Sequence, residues 1–221
     1  DNMRRPFTAL AATAAPLRWN DVNTGDIAPA FASSPLAGRT DRRGQTDQER
    51  YHENAFAAYR WTDSGSLRSD FVLNQPRYEG AQILVAGSNF GCGSSRETAV
   101  WCLDAIGVRC IIAPSFGDIF YGNCFQNGLL AITLALADVE ELMRQAESAP
   151  VPTFTVDLRT SLISAPDAQE FTFEVGDYHR EALLNGIDEI DLTMSRLDAV
   201  KAYETRYYRV RPWLAPIASG S

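Results

Sequence analysis

Histidine, paired cysteines, long apolar runs and excess positive charge are all scarce in this sequence, and each scarcity closes off a class of function. Only two histidines occur, His52 and His179. Neither lies close in sequence to the one serine- and glycine-rich turn, so a Ser-His hydrolase would need folding to deliver its base. The four cysteines, Cys92, Cys102, Cys110 and Cys124, have spacings that match neither a C-x-x-C pair nor a standard zinc arrangement. Cys102, Cys110 and Cys124 sit among apolar neighbours and read as reduced core residues. Cys92, between two glycines, is the one with an obvious reason for exposure, and a single thiol cannot hold an iron–sulfur cluster. No apolar run approaches the roughly 20 residues of a membrane helix. The alanine-rich stretch after Arg4 and Arg5, broken by Thr8, Thr13 and Pro16, is too weakly hydrophobic for a signal core, so a cytoplasmic location is expected. With 28 acidic against 20 basic residues the formal charge is −8, which argues against nucleic acid or an anionic membrane as the main partner.

What is present is core material. A chain of 221 residues, 45% hydrophobic, can bury the interior of one domain. It reads as a single unit over 1–221, with an N-terminal segment at 3–15 and a flexible, loop-rich region at about 30–68. Arg39, Arg42 and Arg43 in "GRTDRRG" belong to a solvated loop or to one that grips an anionic substrate. Up to Arg68 the pattern predicts loops with short strands. From Asp70 the texture changes: "FVLNQP" reads as a short strand and "QILVAG" as a buried one. "SSRETAVWCLDAIG" follows as a helix with Ala99, Leu103 and Ile106 on one face and Gly107 as its stop. "RCIIAPS" is a second buried strand, giving a central βαβ unit with a parallel crossover. "FGDIFYGNCFQNG" reads as a short helix, "LLAITLA" as a third strand and "DVEELMRQAE" as a helix beginning at Asp138. "PTFTVDL" and "EFTFEV" alternate as antiparallel strands joined through "SAPDAQ". "HREALLNG" and "SRLDAVKAYETRYY" close the chain as helices, the latter with Ser195 and Asp198 spaced as a capping box.

The chemistry concentrates in "GSNFGCGSSRETAVW", Gly87 to Trp101. A dinucleotide fingerprint needs a third glycine where Arg96 stands, and a phosphate-cradling loop needs a Gly-Lys pair that is absent. A hydrolase elbow needs a glycine two residues on either side of its serine, which the Gly91, Gly93, Ser94, Ser95 spacing does not supply. Two readings stay open. Ser94 and Glu97 have capping-box spacing, which predicts a plain helix start. The added glycines, second serine and arginine instead suit a small-carboxylate site, with free N–H groups, two hydroxyls and a guanidinium at a helix N-terminus. There the helix dipole and Arg96 would favour an anionic serine oxygen.

"DFVLNQPRYEGAQILVAGSNFGCGSSRE" followed by "IIAPSFGDIFYGNCFQNGLL" resembles the 3-isopropylmalate dehydratase small-subunit family of the aconitase superfamily, and the likeness extends over most of the chain. The resemblance implies an α/β fold: a swivelling β/β/α domain of the aconitase small-subunit type, with C-terminal antiparallel strands and helices. It implies a separate large subunit that carries a 4Fe-4S cluster, no metal or cofactor bound by this chain, and a small hydroxy-dicarboxylate substrate. The reaction implied is the isomerisation of 2-isopropylmalate to 3-isopropylmalate by dehydration and rehydration in leucine biosynthesis, with the iron as Lewis acid on the departing hydroxyl. In this picture Ser94 is the catalytic base, Ser95 and Arg96 hold substrate carboxylate, and Thr24, Asp26 and Asn89 support them.

The departures from the family pattern matter. Where the family reads Asp-Thr-Asp, this chain has Asn23, Thr24 and Gly25, with Asp26 next; Thr98 and Val100 replace the histidine and proline after Ser-Arg-Glu, and Ala131 replaces a proline. They leave two alternatives: a small subunit for another hydroxy diacid, of the methylmalate, dimethylmalate or homoaconitate type, or a non-catalytic regulatory partner of the large subunit.

Overall fold

The computed structural model describes residues 5–31, 45–186 and 207. Among these, seven strands form one sheet in the order β4-β3-β2-β1-β5-β6-β7. The parallel part comprises β1 (Ala9–Leu17), β2 (Ile83–Ala86), β3 (Cys110–Ala113) and β4 (Leu130–Thr133). β5 (Thr153–Asp157), β6 (Leu162–Ser164) and β7 (Glu170–Thr172) run antiparallel. β1 belongs to both parts: Ala9–Thr13 pair with β5, and Ala14–Leu17 pair in parallel with β2.

The two parts are patterned differently for one reason. β2 and β3 are continuous apolar runs buried at every residue, as strands covered on both faces must be. β5 alternates exposed Thr153 and Thr155 with buried Phe154 and Val156, so one face meets the core and the other water. Helix α4 (Glu97–Ala105) links β2 to β3, and α5 (Asp118–Gln126) links β3 to β4. α6 (Leu136–Ser148) packs on β1, β2 and β3, burying Val139, Leu142, Met143 and Ala146. Arg18, just past β1, ties to α6 through Glu147 at 2.6 Å and Glu140 at 2.7 Å. α7 (Asp177–Asn185) packs on α5, where the His179 ring stacks on Phe125 at 4.1 Å. Cys102, Cys110 and Cys124 are fully buried in the core, as expected.

Four expectations are corrected. The segment before Arg68 is not loops with short strands. It supplies the nine-residue strand β1 and helices α1 (Thr24–Ile27), α2 (Asp47–Asn54) and α3 (Ala57–Arg60). The strand hides in sequence because alanine has low strand propensity; its neighbours on both sides order it. "FVLNQP" is not a strand but two 3₁₀ turns, Val72–Asn74 and Pro76–Tyr78. The Asn74 amide donates to the carbonyls of Arg60 and Arg68, both at 2.8 Å, and folds the chain back on itself. "PTFTVDL" and "EFTFEV" do not pair with each other, because "LIS" lies between them as β6, and "SAPDAQ" joins β6 to β7. α6 begins two residues before Asp138, which lies in its first turn. The basic loop at 38–44 and the Ser195/Asp198 capping box lie outside the described residues.

Candidate active site at the carboxyl ends of three parallel strands

Three loops leave the same edge of the sheet, after β1, β2 and β3, which is where open α/β sheets place their ligands. Backbone bonds lace the first loop to the second: Asp21 N–H to the Ser88 carbonyl at 2.9 Å, Gly91 N–H to Val22 at 2.7 Å, and Thr24 N–H to Cys92 at 2.9 Å. The second is laced to the third by Phe90 N–H to Ser115 at 3.0 Å and Gly117 N–H to Phe90 at 2.9 Å. This close approach requires glycine. Gly91 has φ +74, and a Cβ there would stand 2.2 Å from Phe120 Cγ. A Cβ on Gly117 would stand 2.6 Å from the Gly91 carbonyl oxygen.

The capping box expected between Ser94 and Glu97 does not form. α4 starts at Glu97 with Arg96 as its N-cap, and no side chain caps it. A capping box needs its acid three residues inside the helix, whereas Glu97 is the first helical residue. Glu97 instead accepts from Asn127 Nδ2 at 3.1 Å, and Asn127 Oδ1 accepts from Trp101 Nε1 at 3.0 Å. The Ser94 and Ser95 side chains are exposed at an uncapped helix start. The Ser94 carbonyl, not its hydroxyl, is held, by Thr24 Oγ1–H at 2.8 Å.

Arg96 is half-buried, and its Nη1 donates to the Ala28 carbonyl at 3.3 Å. Among the described residues it has no carboxylate partner. A Cβ on Gly25 would lie 3.9 Å from that Nη1 and 2.9 Å from Asn23 Oδ1, so α1 packs close beside the guanidinium. An Arg fork in this setting can take a carboxylate bidentately.

The structure places Thr24, Asp26, Asn89, Ser94, Ser95 and Arg96 in the segments that follow β1 and β2, and gives Thr24, Asp26 and Asn89 separate tasks. Thr24 is buried against the serine turn. Asp26 faces α1 itself: with Asn23 it forms a reciprocal capping box, Asn23 Oδ1 accepting from the Gly25 and Asp26 amides, and Asp26 Oδ2 accepting from the Asn23 amide at 2.9 Å. Asn89 braces the loops, its Nδ2 donating to Asp21 Oδ1 at 2.7 Å and its amide to Ser115 Oγ at 2.8 Å. Cys92 donates its S–H to the Asp21 carbonyl at 3.4 Å, and burial together with the Asp21 charge holds the thiol above its usual range. It is not an activated nucleophile. Asn23 entered the reading of the sequence only as a departure from the family pattern, and Asp21, Tyr59 and Ser115 escaped it. The Asn23 to Asp26 spacing is a capping signature that could have revealed the first; the others act through folding alone.

Comparison with known proteins follows the same line. The family model of the aconitase C-terminal domain matches residues 38–137, and that of the C-terminal domain of the 3-isopropylmalate dehydratase small subunit matches 189–217. The 3-isopropylmalate dehydratase small subunit of Rhodospirillum centenum is 46% identical over 207 residues, covering 94% of this chain and 97% of that protein. The protein of the same name from Nitrobacter hamburgensis is 42% identical over 207 residues, covering 94% of this chain and 98% of its own length. The crystal structure of 3-isopropylmalate dehydratase from Methanocaldococcus jannaschii superposes with a TM-score of 0.60 at 24% identity, covering 88% of this chain and 99% of that one. This last likeness bears on the fold.

Proposed function

The chain belongs to the 3-isopropylmalate dehydratase small-subunit family, and from that membership we propose how its exposed serine turn takes part in the interconversion of 2-isopropylmalate and 3-isopropylmalate. It is a hydro-lyase subunit that works with a large subunit. The observation that carries the residue assignment is the exposed Ser94 at an uncapped helix start beside Arg96, a guanidinium with no carboxylate partner among the described residues.

In the forward dehydration Ser94 Oγ takes the proton from the substrate carbon next to the one bearing the hydroxyl. The C–H electron pair becomes the second bond of the alkene, and the hydroxyl departs from the neighbouring carbon, so that one water is lost overall. Rehydration returns the proton to one carbon and the hydroxyl to the other with their places exchanged. Arg96 and the two serines hold substrate carboxylate, which positions the C–H bond against Ser94. The N-terminus of α4 and the Arg96 charge both lower the cost of an anionic Ser94 oxygen. An open face with exposed serines needs a second surface to exclude water, and we assign that surface to the large subunit.

Among the described residues no three His, Cys, Asp or Glu side chains gather as a metal site. The family's 4Fe-4S cluster has no ligand set among them; we place it on the large subunit and derive no step through it. None of the described helices is long and apolar enough to cross a membrane. We place the enzyme in the cytoplasm and take the chain as a single swivel unit. The test is co-expression with the cognate large subunit, following alkene-diacid absorbance with 2-isopropylmalate as substrate. A cluster-intact complex that turns over no 2-isopropylmalate overturns the proposal.

A further inference from the structure

Thr24 is one of four buried polar or charged residues among those described, the others being Asn54, Arg60 and Gln145. Its two donors go to the serine turn, the amide N–H to the Cys92 carbonyl at 2.9 Å and Oγ1–H to the Ser94 carbonyl at 2.8 Å. The second bond fixes a whole peptide plane. In a trans peptide the C=O and the following N–H point in opposite directions, and the described chain has no cis bonds. Drawing the Ser94 oxygen inward onto buried Thr24 therefore turns the Ser95 N–H away from Thr24, in a turn where Ser94 and Ser95 are both exposed. Among the described residues the Ser95 amide has no acceptor. The turn also lies close on Thr24: Gly93 has φ +93, and a Cβ there would stand 3.9 Å from Thr24 Oγ1.

We infer that Thr24 is a positioning residue, which locks the Ser94–Ser95 peptide so that the Ser95 N–H is presented as a donor to the substrate carboxylate beside Arg96. The inference rests on the reading of Ser94–Arg96 as the reacting face. A donor fixed beforehand does not have to be reoriented when the ligand arrives. Buried and held by its own amide, Thr24 can fix that donor without touching the substrate.

The experiment is steady-state kinetics on the full chain reconstituted with its large subunit, comparing Thr24→Val, Thr24→Ser and Ser94→Ala. Thr24→Val keeps the shape and removes the hydroxyl; KM for the hydroxy diacid should rise about tenfold, with a smaller fall in kcat. Thr24→Ser should restore KM to within about threefold of wild type, since the donor is retained. Loss of folded protein would lower apparent kcat and leave KM alone, so the split separates positioning from mere stability. Should Thr24→Val fail to assemble, Thr24→Ser and Thr24→Ala, which both lack the methyl, isolate the hydroxyl in the same way. A wild-type KM in Thr24→Val, or equal KM in the serine and alanine variants, overturns this inference while leaving Ser94 untouched. Turnover by Ser94→Ala overturns the base assignment instead.

Discussion

Tyr59 donates its phenolic hydroxyl to Asp26 Oδ1 at 2.9 Å, while Asp26 Oδ2 accepts from the Asn23 amide and from Asn23 Nδ2. Both carboxylate oxygens are thus engaged in holding α1, and Tyr59 is itself set against Trp19, with ring centres 4.7 Å apart. Asp26→Asn should lower stability by about 1 kcal/mol through the weakened cap and leave KM nearly unchanged. Urea unfolding and steady-state kinetics of the complex check this. A large loss of turnover at unchanged stability would place Asp26 among the reacting groups.

Ser94→Ala should abolish turnover and leave the unfolding midpoint where it was. The serine hydroxyl caps nothing, because Arg96 is the N-cap of α4 and no side chain caps that helix start, so its removal forfeits none of the roughly 1 kcal/mol a cap would carry. A destabilised, active variant would mean that the hydroxyl is structural after all.

Arg96→Lys keeps the charge and discards the planar fork. If the guanidinium takes substrate carboxylate through two parallel bonds, KM should rise by about tenfold or more, and kcat should fall less. An unchanged KM would remove Arg96 from the carboxylate site.

Gly91→Ala should be a strongly damaging single-methyl change in the turn. The new Cβ would meet the Phe120 ring at 2.2 Å from a backbone at φ +74, and relief requires moving either α5 or the loop. A loss of several kcal/mol, about 3 or more, is expected. Thermal unfolding of the isolated chain measures it, and a near-wild-type melting curve would contradict the packing described.

Stability should fall on the alkaline side, and the buried thiols set the direction. Burial pushes the Cys102 thiol up from 9.0 to about 12, and raises Cys110 and Cys124 as well. Above about pH 9 the unfolded chain releases these protons while the folded chain retains them. The stabilisation is therefore complete below pH 9 and is lost as pH climbs toward the folded values, by up to about 1.4 kcal/mol per pH unit for each thiol. Urea titrations between pH 8 and pH 10.5 should show the decline, and Cys102→Ala should flatten part of it. A pH-independent midpoint would count against it.

Much of this structure was legible in the sequence where the pattern was local. The runs around Ile83–Ala86 and Cys110–Ala113 announce buried strands by composition alone, and the turn between β2 and α4 announces chemistry by its glycines. What escaped was whatever depends on a distant partner. "ALAATAAPL" carries no strand signal of its own and becomes β1 only because Ile83–Ala86 and Thr153–Asp157 flank it. Ser94 and Glu97 have the spacing of a cap, but the laced loops start the helix later, and Glu97 turns to Asn127 instead. Thr24 was marked for support by family likeness, while its bond to the Ser94 carbonyl appears only in three dimensions.

The divided pairing of β1 has a kinetic consequence. Early in the chain though it is, this strand finds no ladder until β2 supplies a partner for its second half and β5 one for its first. Each closure spans a long stretch of sequence, the kind of contact that slows folding. Until both have formed, β1 is a bare edge open to pairing with another molecule. The loop after β1 carries Thr24, so the serine turn acquires its support only when that strand is seated.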